Sequence, residues 1–238
     1  MPLFTILSLF PEALDQYLQA GVVGQGRARG AFAAQVLDFR DFARDRHRTV
    51  DDRPFGGGPG MVLKPEPIVE AVEWIEERHG PHRRIALCPS GRTFDQTVAQ
   101  ELHEHLTRPE EDGRLLLLCG RYEGFDERIY EELRLERLSL GNFVLAGGEL
   151  AALCVVEAVA RLIPGVLGDD RSAQQDSFDP REGSLGPLDH PHYTRPRAYR
   201  GREVPPVLFS GDHSRIQAWR AERAAERTAR KAGDPEHP

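Results

Sequence analysis

Short apolar runs alternate with segments of helical periodicity along the first two thirds of the chain. The runs predict strands at residues 3–9, 32–39, 84–88 and 114–119. Helices are predicted at residues 11–18, 64–77, 95–105, 126–132 and 148–163, and a further segment, 138–145, precedes the last helix. Strands that alternate with helices predict an α/β domain with a mostly parallel sheet.

Particular residues support these assignments. Pro11 stands in the first turn of its helix, where proline is well tolerated. Ile68, Ala71 and Val72 recur at helical spacing in the segment 64–77. Pro164 is predicted to end the long apolar helix, because proline cannot continue a helix.

A change of composition divides the chain after this helix. Residues 168–185 are polar, contain Gly, Pro, Gln, Ser and Asp, and lack periodicity, which predicts a mobile linker. A small domain with a helix near residues 214–232 follows. The predicted organisation is therefore 1–167 as the α/β domain, 168–185 as the linker and 186–238 as a small helical domain.

The net charge of −7 argues against a protein that coats nucleic acid indiscriminately. From Gly186 onward, however, 10 Lys and Arg stand against 7 Asp and Glu, a net of +3, whereas the preceding part has a net of −10. This asymmetry suggests a division of labour. On charge alone, a solvated Arg-rich tail is the favoured interpretation.

Composition and segment lengths exclude several classes of protein. Hydrophobic residues make up 39% of the chain, which supports a packed core rather than disorder. No apolar run approaches the ~20 residues of a membrane span, and the start of the chain does not resemble a signal peptide. Cys88, Cys119 and Cys154 lack metal spacing, so we expect reduced thiols in a cytoplasmic protein.

Three glycine-containing loops follow apolar strands, at residues 88–92, 119–124 and 140–149. Ligands of parallel α/β sheets bind beyond the carboxyl ends of the strands, and glycine there lets a ligand approach the backbone closely. The loops match neither the G-x-G-x-x-G fingerprint nor the P-loop. The alternative is three ordinary strand-to-helix turns.

The segment 38–61 combines several basic side chains with a glycine run at 56–60. Arginine suits phosphate recognition through its planar fork. Asp41, Asp45, Asp51 and Asp52 lie among these bases, and on the sequence alone a solvated loop is slightly favoured. Arg161, near the end of the apolar helix, and Asp176, in the linker, are equally compatible with simple solvation.

Several long ordered strings together resemble the bacterial tRNA (guanine-N1)-methyltransferase family. They are DRHRTVDDRPFGGGPGM at 45–61, CGRYEG at 119–124, RLIPGVL at 161–167, PHYTRP at 191–196 and VPPVL at 204–208. Such strings are far more specific than a single glycine motif. The resemblance implies a homodimer with a deep trefoil knot of the SPOUT type, a fold that general rules of chain topology would exclude.

The resemblance also implies the ligands and the residues that contact them. S-adenosylmethionine is expected to bind in the knotted loops, with help from Mg²⁺ near Glu123, and the anticodon arm of tRNA is the expected partner. The expected cofactor residues are Pro89, Gly91, Gly120, Tyr122, Glu123, Leu140, Gly141, Asn142, Phe143, Val144, Leu145, Gly147 and Gly148. The expected RNA contacts are Arg46, His47, Arg48, Arg53, Arg195, Arg197 and Arg215.

The implied reaction methylates N1 of the guanosine immediately 3′ of the anticodon, position 37, when a guanosine precedes it. Asp176 matches the catalytic general base of the family, and Arg161 matches the arginine that stabilises charge on guanine O6. Three alternatives remain: a knotted methyltransferase acting on ribosomal RNA, an RNA-binding module that has lost catalysis, and a dinucleotide-dependent oxidoreductase. The presence of both Arg161 and Asp176 disfavours the second, and the missing fingerprint disfavours the third.

Overall fold

A computed structural model describes residues 1–108, 113–168, 176–178 and 186–233, and divides the chain into two compact units, Met1–Asp170 and Arg171–Pro238. The described elements of the first unit are β1 (Leu3–Ser8), α1 (Pro11–Tyr17), α2 (Gly21–Ala28), β2 (Ala33–Asp38), β3 (Asp51–Asp52), β4 (Val62–Leu63), α3 (Pro65–His79), β5 (Arg83–Thr93), α4 (Gln96–Thr107), β6 (Arg114–Cys119), α5 (Glu127–Glu132), β7 (Glu136–Ser139) and α6 (Glu149–Ala160). Those of the second unit are β8 (Ala198–Tyr199), β9 (Arg202–Glu203) and α7 (His213–Ala232). Short 3₁₀ helices occupy Phe39–Phe42 and Pro206–Phe209.

The first unit is built on a five-stranded sheet of order β2-β1-β6-β5-β7, in which every pairing is parallel. The predicted parallel α/β architecture is therefore confirmed. The central strand β6 carries Leu115, Leu116, Leu117 and Leu118, which are all buried. A parallel strand covered on both faces needs such a continuous apolar run.

Alternate leucines of β6 enter two separate cores, because successive side chains of a strand point to opposite faces. Leu115 and Leu117 pack in one cluster with residues of α1, α4 and α6. Leu116 and Leu118 pack in the other with residues of α3 and α5. The helices thus cover both faces of the sheet and leave the strand ends for the loops.

Helix α2 was not predicted, because glycine has a low helix propensity and adds no apolar side chain to a helical pattern. Gly24 and Gly26 are buried within it. A Cβ on Gly26 would lie 2.9 Å from Cγ2 of Val166, so only glycine permits this close approach. Tertiary packing here overrides the low helix propensity of glycine.

The long apolar helix ends at Ala160, three residues before its predicted end. Pro164 is still the cause, because its ring clashes with the carbonyl four residues earlier, that of Ala160. That carbonyl instead accepts a 2.9 Å hydrogen bond from the Ile163 amide. Arg161 is consequently the C-terminal cap of α6.

Strand β5 continues to Thr93, five residues beyond its predicted end. Its pairing with β7 shifts register between Leu87 and Arg92. The intervening residues form a bulge, which disturbs the alternating pattern from which the strand was predicted. The predicted segment 138–145 is strand only at its start, since β7 ends at Ser139 and a loop follows.

In the second unit, α7 begins at His213, one residue before its predicted start, and Asp212 caps it. The Asp212 carboxylate accepts hydrogen bonds from the amides of Ser214, at 3.0 Å, and Arg215, at 3.1 Å. The antiparallel pair β8–β9 was not predicted, since each strand has only two residues. Of the predicted linker, Gly168 and residues 176–178 are described and the rest lie outside the described residues, so its mobility stays a prediction.

Two further expectations concern membranes and thiols. Within the described ranges, no helix has the length and apolar character that crossing a bilayer requires. Cys88, Cys119 and Cys154 are free thiols, as the sequence predicted.

Candidate active site

A cleft of about 460 Å³ lies at the carboxyl edge of the sheet in the first unit. It is lined by the bulge of β5, the loop after β6 and the loop between β7 and α6. This is the edge at which parallel α/β sheets bind their ligands, and the volume suits a small molecule.

The cleft brings together most of the side chains that were predicted to contact a cofactor. Gly91, Gly141 and Asn142 do not line it. The predicted residues that line it are Pro89, Gly120, Tyr122, Glu123, Leu140, Phe143, Val144, Leu145, Gly147 and Gly148.

Gly91 does not line the cleft but lies in the bulge of β5, which packs against β7. A Cβ on this residue would lie 2.3 Å from the backbone nitrogen of Leu138, so glycine lets β5 cross close to β7. Gly141 forms the turn after β7, with a φ of 143° that favours glycine. Its amide donates a 3.1 Å hydrogen bond to the hydroxyl of Ser139.

Gly147 and Gly148 hold two of the loops together. The Gly148 amide donates a 2.9 Å hydrogen bond to the carbonyl of Gly120, and Gly147 forms a bridge with Arg121. A Cβ on Gly147 would lie 2.3 Å from Nε of Arg121, and one on Gly148 would lie 2.8 Å from Cα of Cys119. Side chains at these positions would separate the loops.

A buried carboxylate anchors the same loops to the sheet. Glu149 accepts a 2.8 Å hydrogen bond from the Ser8 hydroxyl, and its Oε2 lies 3.0 Å from Nε of Arg121. The Arg121 guanidinium also lies over the Phe10 ring, 4.4 Å from its centroid. Neither Glu149 nor Ser8 was predicted as a site residue, although Arg121 and Glu149 stand inside the glycine-containing loops at 119–124 and 140–149.

The opposite wall of the cleft includes Tyr130 and Arg137, which were also missed. The Arg137 guanidinium lies over the Tyr130 ring at 3.8 Å and pairs with Glu127. Burial, followed by the proximity of Cys88, raises the pKa of Tyr130, so the phenol stays protonated. Tyr130 therefore presents a neutral phenol to this wall of the cleft.

The end of the glycine run, at Gly60, lies against the loop after β6. The Glu123 amide donates a 3.0 Å hydrogen bond to the Met61 carbonyl, and a Cβ on Gly60 would lie 2.2 Å from Oε1 of Glu123. Gly60 has a φ of 84°, and Phe55, at the tip of the segment, is 98% exposed. The predicted RNA contacts Arg46, His47, Arg48 and Arg53 are exposed along this segment.

The remaining predicted residues are divided between the two units. Arg161 caps α6 and is partly buried in the first unit. Asp176 is partly buried in the second unit, in which Arg195, Arg197 and Arg215 are exposed. The Arg197 guanidinium lies 4.0 Å from the centroid of the Phe209 ring.

The sheet and its glycine-walled cleft define an α/β protein with a small-molecule site at the carboxyl ends of parallel strands. Comparison with known proteins defines it further. Residues 3–235 match the family described as tRNA (Guanine-1)-methyltransferase TrmD. The chain therefore belongs to this family of enzymes.

Individual relatives agree with this assignment. A tRNA (guanine-N(1)-)-methyltransferase of Dehalococcoides mccartyi is 47% identical over 230 residues, which cover 96% of this chain and 88% of the relative. That of Myxococcus xanthus is 50% identical over 215 residues, 90% and 82% of the two chains. The crystal structure of the tRNA (m1G37) methyltransferase from Aquifex aeolicus has a TM-score of 0.77 at 37% identity, covering 98% of this chain and 94% of that one.

Proposed function

We propose that this chain transfers a methyl group from S-adenosylmethionine to N1 of guanosine 37 in tRNA. One observation carries the proposal: the glycine-walled cleft belongs to a chain that is 37% identical, over 98% of its length, to a tRNA (m1G37) methyltransferase. The family assignment favours this function over a dinucleotide-dependent oxidoreductase.

The cleft fits S-adenosylmethionine in size and surface. Its volume of about 460 Å³ falls within the roughly 300–1,000 Å³ of small-molecule sites. Leu140, Phe143 and Leu145 offer apolar contact area, and the glycines let a flat ring reach the backbone. When bound, the cofactor supplies an electrophilic methyl group carried on a sulfonium.

The chemistry of guanine assigns roles to two side chains. N1 carries a proton at neutral pH, so a base has to remove that proton before N1 becomes nucleophilic. We assign this role to the Asp176 carboxylate. Negative charge then grows on O6, and the Arg161 guanidinium stabilises it as an oxyanion donor does.

We further assign the two predicted domains and the linker to separate tasks. Residues 1–167 would bind the cofactor, residues 168–185 would carry the base, and residues 186–238 would hold the anticodon arm. Exposed arginines support this assignment, because Arg195, Arg197 and Arg215 offer guanidinium groups to phosphates. The target base has to leave its stack, which is least costly in a single-stranded loop.

Glu123 is the candidate ligand for Mg²⁺. Its carboxylate lines the cleft, and magnesium prefers hard oxygen ligands. Because magnesium usually keeps several waters, a single carboxylate fits the role.

A knotted fold and a homodimer complete the proposal. The close crossings of Gly91 with Leu138, and of Gly148 with Cys119, support chain segments that thread through one another. Phe10 and Leu150 are large apolar side chains exposed on the first unit, 46% and 61%, and suit burial by a second copy. Action on tRNA would place the enzyme in the cytoplasm.

The test is methyl transfer to two tRNA transcripts that carry G36 and differ only in G or A at position 37. We expect transfer only to the G37 transcript, with 1-methylguanosine as the product on nucleoside analysis. Equal methylation of both transcripts would contradict the proposal. Methylation of a ribosomal RNA fragment in place of tRNA would favour the alternative of a ribosomal RNA methyltransferase.

A further inference from the structure

The second unit contains a cluster of potential metal ligands that has no assigned role in methyl transfer. Asp189, His190 and His192 each contribute one ligand atom, and these three atoms lie within 4.8 Å of one another. The His192 Nε2 lies 2.7 Å from Asp189 Oδ2, and the His190 Nδ1 lies 3.8 Å from Asp189 Oδ1. Two imidazoles and one carboxylate form a ligand set that zinc and related ions commonly use.

One of these atoms lacks a partner that a buried polar atom normally has. Among the described residues, His190 Nδ1 has no hydrogen-bond partner and is shielded from solvent. Its distance of 3.8 Å from the Asp189 carboxylate is too long for a hydrogen bond. An orphaned ring nitrogen of this kind calls for a specific explanation, and a metal ion is one.

The cluster is held in position before any ion arrives. The Asp189 amide donates a 2.9 Å hydrogen bond to the Ser177 hydroxyl, and its carbonyl accepts one of 3.0 Å from Arg227. Both contacts involve the backbone of Asp189, so they hold the residue in place without using its carboxylate.

A second cavity gives an ion access to the cluster. It has a volume of about 220 Å³ and is lined by His190, His192, Tyr193, Trp219 and Arg220 among others. Both imidazoles thus border an open space, and a three-ligand site with an open position leaves room for water.

We propose that Asp189, His190 and His192 bind one divalent transition-metal ion of the zinc type. Ligands at roughly 2.0–2.2 Å from a tetrahedral ion lie about 3.4 Å apart, so the 2.7 Å contact between Asp189 and His192 has to open by about 0.7 Å. The ion would give His190 Nδ1 a partner and would cross-link residues 189, 190 and 192.

The experiment titrates the full-length protein, stripped with a chelator, with Zn²⁺ by calorimetry. Co²⁺ serves as a spectroscopic probe of coordination, and the variants are His190→Ala, His192→Ala and His192→Gln. The matched controls are His213→Ala, an exposed histidine of the same unit, and Cys154→Ser, which removes an exposed thiol. Circular dichroism establishes that each variant is folded.

We expect a single Zn²⁺ per chain, absorption bands typical of four-coordinate Co²⁺, and affinity at least ~10-fold weaker in any correctly folded cluster variant. The two control variants should bind as the wild type does. Wild-type protein that binds no Zn²⁺, or a folded His190 or His192 variant that binds it unchanged, would overturn the proposal. In that case the cluster is only a hydrogen-bonded turn.

Discussion

The hydroxyl of Ser8 donates a 2.8 Å hydrogen bond to Oε1 of Glu149 and so joins the end of β1 to the first turn of α6. The same carboxylate pairs with Arg121 in the loop after β6. One buried acid therefore connects the sheet, a helix and the wall of the cleft. Its removal should disturb both stability and the cleft.

We expect Glu149→Gln to lower the free energy of unfolding by ~1.5–3 kcal/mol, because hydrogen bonds to a charged group are lost in a buried place. Chemical denaturation measures this. Glu73→Gln, an exposed position on α3, is the matched control and should stay within about 0.5 kcal/mol of the wild type. An equal effect of the two substitutions would show that the Glu149 network contributes nothing special.

Gly147→Ala should weaken cofactor binding and lower the free energy of unfolding by ~1–3 kcal/mol, because the new Cβ has to displace Arg121. Gly168→Ala is the control, since a Cβ there meets no atom within 4 Å. Calorimetry with S-adenosylmethionine and denaturation measure the two effects. Normal cofactor affinity in a folded Gly147→Ala protein would contradict the close packing of these loops.

Stability should fall as the pH drops below 6.5, because His82 is buried as a neutral ring. Burial, the largest cause, lowers its pKa from 6.5. Its Nδ1 donates to the Gly80 carbonyl, at 2.9 Å, which leaves the Nε2 of the neutral ring to accept from the Thr5 hydroxyl, at 3.3 Å. The unfolded chain thus binds more protons between the folded pKa and 6.5, so the free energy of unfolding falls as the pH falls through that window.

Denaturation between pH 5 and 8 measures this slope, and His82→Gln should flatten it. His103, whose pKa burial also lowers, should leave a residual slope. The exposed His47 provides the control, as His47→Gln should leave the slope unchanged. An unaltered slope in His82→Gln would rule His82 out as its source.

Asp176→Asn should slow methyl transfer by ~10²–10⁴-fold, the usual contribution of a general base. The affinity for S-adenosylmethionine should stay within a few-fold of the wild type, because the amide keeps the size of the side chain. Single-turnover rates with tRNA measure the effect, and Asp15→Asn on α1 is the control. A rate within a few-fold of the wild type would show that another group takes the proton.

Each active site should combine residues of two subunits, with the cofactor loops from one chain and Asp176 from the other. Gly147→Trp blocks the cleft by bulk and Asp176→Ala removes the base, so each variant alone should be inactive. In a mixed dimer one site receives both defects and the other neither. With random exchange about half the dimers are mixed, so about a quarter of wild-type activity should return.

Differently tagged chains establish that the subunits have exchanged. If exchange is complete and no activity returns, both functions belong to the same chain. A homodimer whose sites are independent would still be compatible with that result.

Much of the first unit could be predicted from the sequence because its signals are local. The leucine run of β6 and the helical spacing of Ile68 and Val72 report burial within a few residues of chain. Helix α2 was not predicted, because the need for glycine at Gly26 arises from contact with Val166, which is distant in sequence. The β5 bulge was missed for the same reason, since a partner strand defines it.

For the candidate site, the sequence by itself determined the chemical groups and, through long motifs, the family to which they belong. Only the tertiary structure decided that Ser8, Arg121 and Glu149 meet, that Tyr130 and Arg137 form a wall of the cleft, and that His190 has an orphaned nitrogen. The physical reason is that periodicity and turn chemistry act between neighbours along the chain. Contacts between distant residues depend on the order of the strands in the sheet, which no local pattern encodes.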